Sequence, residues 1–197
     1  GVTLTFDTSG RVLQRALAGA GEDVFAGALE AMEELGRKDI ARSPLPVGSS
    51  RIAIGVRQGE TAPDTSTVAA FKAALLGAGR VARGDPAGGG TAGRHLAQAL
   101  EDLGLAEAMR DKSVLRVGGY NVMAAVVAGE ADFGITQSTE IPPSPGAAIG
   151  GWLPEAIQLT TVYAVAASAR ARPAAAALES FLRSPEGAAC FRAAGFS

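Results

Sequence analysis

Short β-branched runs alternate with amphipathic stretches along the whole chain. That alternation restricts it to an α/β protein with mixed, mainly parallel sheets and flanking helices. "VTLTF" (2–6) reads as a strand and leads into "SGRVLQRALAG", where Val12, Leu13, Ala16 and Leu17 recur at helical spacing. A short strand at "DVFAG" precedes a helix at "ALEAMEELG", closed by Gly36. "RIAIGV" (51–56) is a strongly apolar strand. "TSTVAAFKAALLGAG" is a helix with Thr65 or Ser66 as N-cap and Val68, Phe71 and Leu75 on one face. "RVARG" (80–84) and "SVLRVGG" (113–119) are strands, each followed by an amphipathic helix, and "ADFGITQS" (131–138) is another strand. A Pro/Gly-rich connection, "EIPPSPGAAIGGWLPEA", leads to the long strand "QLTTVYAVAAS" (158–168). Two helices end the chain, the second with Ser184 as N-cap and Pro185 at its first position. "RIAIGV" and "TTVYAVA" are the two long strands without an internal turn, so they are the candidates for segments running between two lobes.

Composition narrows the partners. Net charge is −2 over 197 residues, and Lys38, Lys72 and Lys112 are the only lysines. Without a basic surface, nucleic acid is not an expected partner. No apolar stretch approaches the ~20 residues of a membrane helix. One cysteine, Cys190, leaves neither an intramolecular disulfide nor a cysteine-based zinc site, and it reads as a small buried hydrophobe.

Three strand-to-helix junctions share a chemistry: "TF-DTSG-RVLQRAL", "RG-DPAGGGTAG-RHLAQAL" and "RV-GGY-NVMAAVVAG". Each places glycine or a small hydroxyl residue where a helix begins. The first turn of a helix has backbone N–H groups without partners and about half a positive charge, and little side-chain bulk lets a ligand reach them. The second junction lacks the Gly-Lys-Ser/Thr of a Walker loop, since Thr91, Ala92 and Gly93 follow Gly90. The dinucleotide fingerprint also fails on spacing. The chemistry left is a small anion held by backbone N–H groups with Ser9, Thr91 and Gln137.

"TFDTSGRVLQRALAGAGEDVFAG", "GDPAGGGTAGRHLAQALEDLG", "GEADFGITQSTEI" and "FLRSPEGAACFRAAGF" together resemble, in order and over residues 1–197, the periplasmic molybdate-binding proteins of ABC importers and their relatives. The resemblance implies a two-lobed type 2 periplasmic-binding-protein fold with two hinge-crossing strands. Lobe 1 would comprise residues 1–53 and 166–197, and lobe 2 residues 54–165. It implies an oxyanion held in the interlobe cleft by hydroxyl and backbone donors at Thr8, Ser9, Gly10, Thr91, Ala92, Gly119, Tyr120 and Gln137. It further implies a non-catalytic monomer, partnered by ABC permease subunits, with no cofactor and no bound metal. The location would be periplasmic, or extracellular and membrane-tethered, with a signal peptide outside these residues. The family pattern begins with a strand and helix that have no counterpart in these residues, and their junction supplies a further serine. Two positions depart from the pattern: Asp7 replaces a small residue, and Gln137 stands where molybdate binders often carry tyrosine. The ligand is therefore an oxyanion such as molybdate or tungstate, or a small organic carboxylate.

Other readings compete. An effector-binding domain of a LysR-type regulator would use the same fold. A hydrolase would need the lone His95 in a triad, and no G-x-S-x-G elbow accompanies it. A transferase on this fold would want a lysine or acid/base group near the junctions. His95 reads as packing, Trp152 as an anchor in a connection and Met123 as core. Asp7 either caps the first junction or selects a protonated or cationic ligand.

Overall fold

The structure is a computed structural model and describes residues 2–197. The chain divides into two compact units, one containing the residues up to Ser50 together with Thr161–Ser197, the other Arg51–Thr160. The breaks thus fall at 50/51 and 160/161, against the expected 53/54 and 165/166.

The first unit opens with a correction. Residues 2–8 carry no strand, and Val2, Leu4 and Phe6 are exposed. Alternation alone does not make a strand; the ladder needs a hydrogen-bonding neighbour, and among the described residues none pairs with 2–6. Helix α1 (Ser9–Leu17) follows, and strand β1 (Val24–Ala28) runs directly into helix α2 (Leu29–Arg37) with no residue between. Gly36 lies inside α2 rather than after it, and Asp39 makes the left-handed turn at φ 55° instead. Ala16, Phe25, Met32 and Leu35 form the core beneath these elements. Strand β2 (Leu45–Arg57) crosses from this unit into the second. It begins six residues before "RIAIGV", because its first half contains Pro46, Gly48 and Ser49 and has no apolar pattern to read.

In the second unit, helix α3 (Val68–Gly77) is capped by Thr67, whose hydroxyl accepts from Ala70 N at 3.1 Å. Neither Thr65 nor Ser66 is the cap; the Thr65 hydroxyl instead donates to the Trp152 carbonyl at 2.8 Å. Strand β3 (Val81–Gly84), helices α4 (Thr91–Asp102) and α5 (Ala106–Arg110), strand β4 (Ser113–Arg116), helix α6 (Gly119–Val127) and strand β5 (Phe133–Gln137) follow in order. The Pro/Gly-rich connection then contains a strand the sequence does not announce, β6 (Ala147–Trp152), paired antiparallel with β2. Its alanines and glycines hide the β pattern.

The sheet of this unit runs β2-β5-β3-β4, with β6 on β2. β3 is parallel to β4 and β5, whereas β2 is antiparallel to β5 and β6. The sheet is mixed, as expected, with two parallel and two antiparallel pairings among the described residues of this unit. Parallel neighbours need a crossover connection; α4 with α5 supply it between the adjacent β3 and β4, and α6 then carries the chain from β4 past β3 to β5. Both faces are covered. Ile52, Ile54 and Val81 pack with Phe71, Leu75 and Leu96 on one side. Ala53 and Ala82 pack with Val122, Met123 and Val126 on the other. Burying each large side chain contributes about 1.5–3 kcal/mol.

Strand β7 (Thr160–Ala167) returns the chain to the first unit, antiparallel to β1 with Val24 opposite Ala167. The strand order there is β1-β7-β2. Helices α7 (Ala174–Leu182) and α8 (Pro185–Ala193) end the chain, and the Ser184 hydroxyl caps α8 by accepting from Gly187 N at 3.2 Å. Cys190 is exposed, not buried: it lies on the outer side of α8.

Candidate ligand site

The glycine-rich loop is explained first by packing. A Cβ on Gly93 would sit 2.9 Å from the carbonyl carbon and oxygen of Gly84, and one on Gly84 would sit 2.9 Å from Gly93 Cα. The pair lets the first turn of α4 lie directly on the end of β3. Gly89 takes φ 77°, a conformation that favours glycine, just after a 3-10 turn at Pro86–Gly88. Asp85 caps that turn, accepting from Ala87 N at 2.9 Å. Gly90 is the N-cap of α4 and brings no side chain to its first-turn N–H groups. Thr91 is half-buried and Ala92 buried at this start. Gln137, buried at the end of β5, donates from Nε2 to Thr91 Oγ1 at 3.1 Å.

The start of α6 differs. Gly119 N donates to Glu140 Oε1 at 3.1 Å, so the expected ligand donor already serves a carboxylate of the same chain. The other carboxylate oxygen accepts from Thr136 Oγ1 at 2.5 Å and from Gln137 N at 3.3 Å. A Cβ at position 119 would come within 1.9 Å of Glu140 Oε2, so only glycine admits the carboxylate here. Tyr120 beside it is exposed. Glu140 was not singled out by the sequence reading. A signal existed in "QSTE": a polar residue followed three places later by glutamate is the capping-box spacing.

In the first unit, Thr8 is the N-cap of α1 but its side chain does not cap it. Asp7 Oδ1 accepts from Thr8 N at 2.9 Å, in keeping with the capping alternative. Ser9 Oγ accepts from Ala28 N at 2.9 Å, which ties the start of α1 to the junction of β1 and α2. Gly27 sits against it; an added Cβ would lie 3.2 Å from Ser9 Oγ. Thr8, Ser9 and Gly10 therefore share one helix start with a second start beside it. The sequence has that neighbour as the meeting of "DVFAG" and "ALEAMEELG", but not as a ligand junction, since no glycine-rich turn separates strand from helix there.

The remaining singled-out residues serve packing. His95 Nε2 is 2.8 Å from the Ile157 carbonyl. Met123 is fully buried. Trp152 is partly exposed under the Arg51 guanidinium, 5.6 Å from the ring centre. Arg83, one residue before Gly84, donates from Nε to Ser113 Oγ at 2.8 Å, and burial pushes its guanidinium below the ordinary value.

The family described as bacterial extracellular solute-binding protein matches residues 1–197. The chain belongs to that family. This solute-binding protein has the fold of the type 2 periplasmic binding proteins, and no helix among its described residues is long and apolar enough to cross a membrane. Its fold is similar to that of the periplasmic molybdate-binding protein of Azotobacter vinelandii, with a TM-score of 0.79 at 22% identity over 100% of this chain and 87% of that one. The substrate-binding domain of a molybdenum ABC transporter from Clostridium difficile gives 0.67 at 21% identity, over 100% and 86%. At these identities the likeness is one of fold. An aconitate isomerase from a Pseudomonas species is 33% identical over 159 residues, 78% of this chain. This chain spans only 58% of that relative's length.

Proposed function

We propose that this solute-binding protein is the periplasmic, non-catalytic receptor of an ABC importer and captures a small anion with neutral donors. The observation that carries the reading is the start of α4, which no side chain caps and whose Thr91 hydroxyl is held by the buried Gln137. A helix start of this kind presents N–H groups and a positive dipole end. Hydrogen bonds to a charged group contribute about 1.5–3 kcal/mol each, so a few offset the desolvation of the ion. Thr91, Ala92, Tyr120 and Gln137 are the proposed contributors of the second unit, and Thr8, Ser9 and Gly10 of the first. The commitment of His95 to a backbone carbonyl speaks against an acid/base role. The family match over residues 1–197 favours a receptor over a regulator's effector domain.

Two ligand classes fit. A compact oxyanion such as molybdate or tungstate follows from the fold neighbours. A small carboxylate is favoured by a separate observation: the start of α6 already holds a carboxylate, Glu140. The partial match to an aconitate isomerase points the same way.

A thermal-shift screen of molybdate, tungstate, sulfate, phosphate and small di- and tricarboxylates tests the reading. The true ligand raises the unfolding midpoint through mass action, by about 2.7 kcal/mol of added stability at a hundred times Kd. A rise with a cation or a neutral sugar, and with none of the anions, would refute it.

A further inference from the structure

We infer that Glu140 is a resident anion that sets how much negative charge the ligand may carry. The inference rests on the proposed anion site and deepens it. Three donors converge on this carboxylate: Gly119 N on one oxygen, Thr136 Oγ1 and Gln137 N on the other. Backbone and side chain of the same Gln137 then join two helix starts, since its N–H serves Glu140 and its Nε2 serves Thr91. A fixed negative charge therefore stands one residue's reach from the hydroxyl that opens α4.

Two consequences follow from charge and geometry. The positive end of α6 is spent on an internal carboxylate, so an incoming anion is read by α4 without help from Gly119. The ligand also meets like-charge repulsion that grows with its own charge. The Coulomb energy scales with the product of the charges, so a dianion feels this repulsion twice as strongly as a monoanion at the same place. The site thus discriminates against compact dianions and favours a ligand that presents a single negative group near α4, as one carboxylate arm of a larger acid does.

The test compares molybdate with perrhenate, a dianion and a monoanion of the same tetrahedral shape, by calorimetry on the wild type and Glu140→Gln. The glutamine keeps the shape and an acceptor for Gly119 N while removing the charge. Binding of both should tighten, with molybdate gaining about tenfold more than perrhenate. Equal changes, or none, in a variant that circular dichroism shows folded would overturn the inference, because a purely structural Glu140 leaves the ratio unmoved. If Glu140→Gln does not fold, Thr136→Val replaces it. This variant loosens the carboxylate and should shift the ratio the same way by a smaller factor, and an unchanged ratio is equally fatal. If the wild type binds neither ion, the oxyanion reading fails by itself. Glu140 keeps its role in that case only if the neutral variant acquires molybdate binding; if it binds neither, this inference falls too.

Discussion

Gly119 shows how one missing side chain can decide a local structure. Its amide and its lack of Cβ both serve Glu140, with 1.9 Å between a would-be Cβ and the carboxylate. Gly119→Ala should therefore lower stability by about 2–3 kcal/mol, an overpacking cost compounded by a displaced hydrogen-bond acceptor. Urea denaturation checks this; an unchanged midpoint would mean that the carboxylate can step aside freely. The sequence marks Gly119 as a residue that leaves room for something, but it suggests a ligand. The occupant lies 21 positions away and is brought there by the turn after β5, so only the fold reveals it. Ser9 teaches the same lesson, since its hydroxyl was legible at a helix start while its partner, Ala28 N, lies at the end of β1. Gln137 and Thr91 were each readable as polar groups at strand and helix ends, but not as a bonded pair.

Elements were legible where periodicity and punctuation agree. Helices α4, α6 and α8 each have an apolar face and a clear start, and β3, β5 and β7 are bounded by turns. Failures occur where one signal is missing. β6 is made of alanine and glycine with only Ile149 and Trp152 as strand-like residues, and tertiary pairing with β2 overrides its low propensity. The segment 2–6 has the reverse problem, a strong pattern with no neighbour to pair with among the described residues. The cap of α3 moved by one or two places because three hydroxyl residues crowd "TST", and the choice of Thr67 depends on where Thr65 finds its own carbonyl. Thr67→Ala should cost about 1 kcal/mol, whereas Ser66→Ala should leave the melting midpoint nearly unchanged. Equal effects in a melting experiment would contradict the assigned cap.

The molecule divides into two units, with one break within β2 and the other after the first residue of β7. The second unit is a continuous run, 51–160, with a sheet packed on both faces. Expressed alone it should melt cooperatively, as followed by far-UV circular dichroism; a broad, non-cooperative loss of signal would show that it depends on the rest of the chain.

The first unit joins residues up to Ser50 with Thr161–Ser197, and β1 has β7 as its partner, with Val24 set against Ala167. A ribosome adds about 5–20 residues each second. For on the order of ten seconds, then, the opening helices of a nascent chain have no completed sheet to dock on, while the middle of the polypeptide already has everything it needs. The order of maturation is written into the connectivity: the unit of residues 51–160 can close first, and the other must wait for residues 161–197 to emerge.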